Sequence, residues 1–215
     1  MTTYRGIHMA ALGIAIALSS NACGSDGAFI DAYAGEPYLG SVRVVVTDAG
    51  GTVMRRRGEG SAQFEATGRG QARLVVYGAI ENKDGDAGFA ITGAYGPDGW
   101  TAEEGGVRLH IGPDGRILGG GVVDDNRYSF SGSVSPGRMR LTVELTPQAA
   151  AAQPASAANV FTFNYRLSRD RPEAAMAQRS GDGEGKCRSI RYEMRPVASI
   201  GDGTMSMLRV PVCLK

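Results

Sequence analysis

The chain has 215 residues, with 23 Lys+Arg against 22 Asp+Glu and a formal net charge of +1. That near-neutral balance excludes a nucleic-acid partner held by phosphate charge. Its 32 glycines follow no three-residue period, which excludes collagen, and they cluster instead at breaks between apolar runs.

Met1–Arg5 is short and basic, Ile7–Leu18 is mostly apolar, and Ser19-Ser20-Asn21-Ala22-Cys23 follows. A basic start, an apolar run too short to span a bilayer and a small-residue site mark residues 1–22 as an export signal. Removing them discards Arg5 and no acid, so the mature chain is expected to carry equal numbers of the two charges. Ala22-Cys23-Gly24 resembles the processing site of bacterial lipoproteins, in which the Cys becomes the acylated first residue. The resemblance implies a lipid anchor on Cys23, and Gly24 after the Cys implies the outer membrane, facing periplasm or surface. Several acyl chains on one residue hold a protein firmly, whereas one chain is marginal. Ordinary cleavage after Ala22, leaving a soluble periplasmic or secreted protein, is the alternative.

Residues 23–40 read as a flexible tether with a few aromatic anchors. From there the pattern has period two between Gly and Asp turns, the signature of strands and hairpins. Expected strands are Ser41–Thr47, Thr52–Arg57, Ala62–Thr67, Ala72–Glu81, Gly88–Tyr95, Val107–Ile111, Arg116–Val123, Arg127–Val134, Arg138–Thr146 and Val160–Ser168. The last three alternate most cleanly, with Tyr128, Phe130, Val134, Met139, Leu141, Val143, Leu145, Phe161, Phe163, Tyr165 and Leu167 on apolar faces. Their neighbours are mostly Ser, Arg, Thr, Glu and Asn, which suits one wet face. Gly-Pro-Asp-Gly occurs at Gly96–Gly99 and again at Gly112–Gly115. Pro pre-sets the first central turn position, Asp suits the second, and Gly takes the left-handed conformation that follows. Ser135-Pro136-Gly137-Arg138 and Gly201-Asp202-Gly203-Thr204 are further turns. These signals predict an all-β fold, an antiparallel barrel or sandwich of about ten strands joined as a meander.

Gln148–Asn159 is low complexity and reads as a long loop. Residues 41–215 are therefore expected to form one β domain, with 41–147 and 160–215 as two units the alternative. Three Cys is an odd number for an exported protein. With Cys23 acylated, Cys187 and Cys213 remain as a pair at the outer ends of a candidate hairpin. A disulfide there is expected to contribute roughly 3–4 kcal/mol by the chain-entropy account.

Chemistry finds little to use. After the signal, His110 is the only His, on the polar side of Val107-Arg108-Leu109-His110-Ile111, and it reads as an exposed strand residue. Neither Gly-x-Ser-x-Gly nor Ser-x-x-Lys is present. Glu103-Glu104 and Asp124-Asp125 fall at strand ends, where solvated turn acids are ordinary. Asn82–Asp86 has the alternating oxygens of a calcium loop, but Ala87 and Gly93 stand where that loop needs Gly and Glu. Gly181–Lys186 lacks the spacing of a phosphate loop. No catalytic residue, metal site or cofactor is expected. Arg55, Arg56 and Arg57 are the one local charge concentration. They read as a charged strand edge that blocks aggregation, with anion binding as the functional alternative.

Gly93-Ala94-Tyr95-Gly96-Pro97 followed by Ala102-Glu103-Glu104-Gly105-Gly106 resembles a segment of transferrin-binding-protein-like barrel lipoproteins. Cys187-Arg188 through Cys213 resembles the Cys-clamped C-terminal hairpin of small bacterial surface-antigen lipoproteins. Both resemblances imply an envelope β-protein that binds rather than catalyses. The expected function is a non-enzymatic envelope lipoprotein that binds a protein partner or a small ligand. A structural or assembly accessory of the envelope, or a periplasmic hydrolase, is the alternative.

Overall fold

The computed structural model describes residues 27–80, 87–148, 159–169, 189–199 and 205–214. One short helix, α1 (Ala28–Tyr33), precedes twelve strands. Ten of them form the barrel: β1 (Tyr38–Thr47), β2 (Val53–Gly68), β3 (Gln71–Ile80), β4 (Ala87–Gly96), β5 (Gly99–Glu104), β6 (Val107–Ile111), β7 (Arg116–Val123), β8 (Asn126–Ser135), β9 (Arg138–Pro147) and β10 (Val160–Ser168). Each pairs antiparallel with its successor, and β10 returns to pair with β1, so an up-and-down meander closes on itself. Closure removes the edge that an open sheet exposes.

Following one inward row around the wall fixes the geometry. It runs from Ala66 through Ala72, Gly93, Ala102, Leu109, Gly119, Phe130, Val143, Phe163 and Val44, and re-enters β2 at Arg56, displaced by ten residues. A stagger equal to the strand number tilts the strands by about 35° to the axis, given ordinary strand rise and spacing.

The expected turns are in place. Gly99 and Gly115 close the two Gly-Pro-Asp-Gly hairpins with φ of 100° and 77°, the left-handed region where a Cβ is strained. Asp124 and Asp125 form the two-residue loop between β7 and β8, both at positive φ, which matches strand twist. β9 and β10 pair directly, so their hairpin carries the 148–159 segment.

Four elements differ from expectation. The two short strands expected at Thr52–Arg57 and Ala62–Thr67 are one long β2. Gly99–Glu104, not foreseen as a strand, is β5. β11 (Ser189–Ser199) and β12 (Met205–Leu214) form the expected C-terminal hairpin, but it lies outside the barrel, joined to β4 by a short parallel pairing. Val197 and Val210 from that hairpin are buried against Val75, Tyr77 and Ala90 on the outer face of β3 and β4.

The fourth difference is the N-terminal segment. The flexible tether expected over 23–40 gives way, from residue 27 onward, to α1 and the start of β1. A six-residue helix has no stability of its own, so docking holds it. Phe29 buries its ring among Phe64, Tyr95 and Tyr33, with centroids 5.4, 6.0 and 4.8 Å away. Arg169, just after β10, donates to the Ala32 and Tyr33 carbonyls at the helix C-terminus, where a cation also meets the negative end of the helix dipole. Its guanidinium lies over the Tyr38 ring, 4.1 Å from the centroid. α1 therefore plugs one end of the barrel.

Candidate functional site

Inward residues grade from solid packing to partial exposure along the barrel axis. Near α1 the interior is filled: Phe64, Trp100, Ile111, Ile117, Met139 and Leu141 are all fully buried. Trp100 also satisfies its indole N–H on the Ala72 carbonyl at 3.1 Å. At the opposite end the inward positions are Val46, Ile80, Val123, Tyr128 and Phe163, half-buried and packed on the core beneath them. Leu145 and Phe161 are also half-buried here, and on β2 the inward positions at this end are the exposed Met54 and Arg56. Among the described residues the result is a largely apolar, half-exposed cup at the end away from α1. Its floor holds Phe89 and Phe130 in edge-to-face contact at 5.5 Å, and Tyr128 lies parallel to Phe130 at 6.2 Å.

One polar side chain enters this floor. Tyr165 of β10 is 3% exposed, and glycines on two neighbouring strands make room for it. A Cβ at Gly60 would stand 3.1 Å from the Tyr165 ring, and one at Gly78 3.4 Å from its hydroxyl. The ring thus crosses the inner wall from β10 over β1 and β2, delivering its hydroxyl to β3. That hydroxyl lies against the wall beside Gly78. Burial raises its pKa well above the usual phenol range, so it remains a neutral donor and acceptor.

The wall of the cup has a seam. β4 and β5 pair only from Gly93–Ala102 to Gly96–Gly99. Beyond that point the Thr92 N–H donates to the Glu104 carboxylate at 3.4 Å. β11 occupies the β4 edge at Phe89 and Ala90.

The residues singled out from sequence lie elsewhere. Cys23 and Cys187 fall outside the described residues; Cys213 is on β12, its backbone opposite Ile190. The acid-rich 82–86 segment and the 181–186 segment also fall outside them. Arg55, Arg56 and Arg57 are exposed on the first part of β2, which pairs with β1, while pairing to β3 begins at Gly58. His110 sits on the outer wall with Nδ1 2.8 Å from the Thr101 hydroxyl, away from the cup. Glu103 is ion-paired to Arg108 at 2.8 Å. Sequence reading assigned the aromatic faces of β8 and β10 to core and missed the cup. Only closure of the barrel shows that their upper residues are left half-exposed.

No protein-family model matches the chain, and no curated protein matches it. Among solved structures it is similar to the S-type phycobiliprotein lyase CPES from Guillardia theta, with a TM-score of 0.45 and 9% identity. That likeness covers 69% of this chain and 94% of the lyase chain.

Proposed function

We propose that this is an envelope binding protein that takes a small, mostly apolar ligand into the open end of its barrel. The observation that carries the reading is the half-exposed aromatic cup with the buried Tyr165 ring at its floor, its hydroxyl directed along the wall toward β3. Ligand sites are typically apolar with few orienting polar groups, and the cup has that composition. A ligand with one hydrogen-bonding end would engage the hydroxyl and cover Tyr128, Phe163 and their neighbours. The export signal and Cys23 support placing this activity in the envelope, held by acyl chains. No reacting pair lies in the cup among the described residues, so binding is favoured over hydrolysis.

The test is a titration with N-phenyl-1-naphthylamine, which fluoresces in apolar surroundings. Saturable binding is expected, and Phe163→Arg should abolish it by placing a charge in the cup. Absence of saturable binding, or an unaffected variant, overturns the reading. Palmitate labelling tests the anchor separately: incorporation should vanish in Cys23→Ser, and equal labelling would remove the lipoprotein assignment.

A further inference from the structure

We infer that the tip of the β1–β2 hairpin docks the protein on an anionic lipid bilayer. Val53 and Met54, the first residues of β2 beside the hairpin turn, are 42% and 48% exposed, and Arg55, Arg56 and Arg57 follow directly, all exposed. An exposed apolar pair beside the turn, followed by consecutive arginines, combines the two forces that seat a segment in a headgroup layer, burial and charge attraction. Asp48, in the hairpin turn, is engaged locally, accepting from the Thr52 N–H at 2.8 Å.

The outer wall continues the same charge. Arg57 stands directly opposite Arg43, and Arg140 directly opposite Arg166. Like charges at directly opposed positions repel, and two such pairs lie on four adjacent strands of a chain whose formal net charge is only +1. Glu59 and Glu144 are the acids on these rows, opposite Ser41 and Thr162. The Arg57–Arg43 row itself continues through Asn164, Thr142 and Ser131, small polar groups suited to a wet contact. A bilayer accounts for the apolar pair, which a dissolved polyanion would leave exposed.

The experiment is co-sedimentation of the full chain with phosphatidylcholine vesicles, with and without phosphatidylglycerol. The quantity read is the extra binding that the anionic lipid causes, because any N-terminal apolar or acylated segment contributes to both vesicle types. That increment should fall steeply with salt and by about tenfold or more in Arg55→Ser/Arg57→Ser. Val53→Ser/Met54→Ser should also weaken it. An increment that is absent, or unchanged in both variants, overturns the proposal. So does binding to soluble polygalacturonate without any to the vesicles, which would make the partner an acidic polysaccharide. The inference stands apart from the lumen reading: Arg55→Ser/Arg57→Ser should bind N-phenyl-1-naphthylamine in solution as the parent does.

Discussion

Tyr165 is where stability and binding pull apart. A buried hydroxyl costs desolvation that a phenyl ring avoids. Tyr165→Phe is therefore expected to hold or raise thermal stability of the unliganded protein, by up to about 1 kcal/mol. The same change should weaken competition by decanol for the naphthylamine site about tenfold, the worth of one hydrogen bond, and leave competition by decane unchanged. A clear loss of stability would mean that the hydroxyl serves the fold instead. Tyr38 offers a contrast, because its hydroxyl donates to the Ser135 carbonyl at 3.0 Å. Burial pushes its pKa up to about 12, against a smaller opposing pull from Arg169. The neutral phenol is the form the fold favours, so its contribution is complete below about pH 10 and is lost as pH rises through about 12. Burial also raises Tyr33, Tyr128 and Tyr165. Urea unfolding followed from neutral to strongly alkaline pH should show stability falling in that window, with a shallower fall in Tyr38→Phe.

At the scale of elements, α1 is the part most dependent on others. Phe29→Ala should cost about 3 kcal/mol by leaving the aromatic cluster of Phe64 and Tyr95 unfilled. Arg169→Ala should cost about 1.5–3 kcal/mol through lost charge-assisted bonds. Arg169→Lys should not restore it fully, since one ammonium cannot serve two helix carbonyls and lie flat over Tyr38. Chemical unfolding checks all three, and indifference to Phe29→Ala would mean that the helix is not a plug. The helix was illegible in sequence because six residues complete fewer than two turns and show no period. β5 was missed for a similar reason: Gly99–Glu104 offers only Trp100 and Ala102 as buried apolar residues before two acids. β2 looked broken because Gly58 and Gly60 interrupt its alternation. Those glycines are inward residues that leave the wall clear: Gly60 lies under Tyr165, and at Gly58 a Cβ would meet the Ala79 carbonyl. Gly60→Val is accordingly expected to destabilise by about 1–3 kcal/mol through overpacking, and an unchanged unfolding midpoint would refute that role. By contrast, β8, β9 and β10 were readable throughout, since large apolar residues fill nearly every inward position.

At the scale of the whole molecule, what sequence patterning could not supply was closure. β1 and β10 are more than a hundred residues apart in the chain, and nothing local in either dictates that they meet. Once they do, the same inward rows divide into a plugged, filled half and an open, half-exposed half. The candidate site is a property of that division rather than of a motif, which explains why no triad, metal loop or phosphate loop announced it. The basic hairpin was visible as a charge run, but its position at one margin of a closed wall was not. The most direct measurement of the central claim is mapping backbone amide shifts of isotope-labelled protein during titration with N-phenyl-1-naphthylamine. The account predicts saturable shifts centred on Val46, Ile80, Tyr128, Phe163 and Tyr165, with Phe64 and Trp100 little changed. Shifts confined to the outer β11–β12 hairpin, or none at saturating probe, would contradict it.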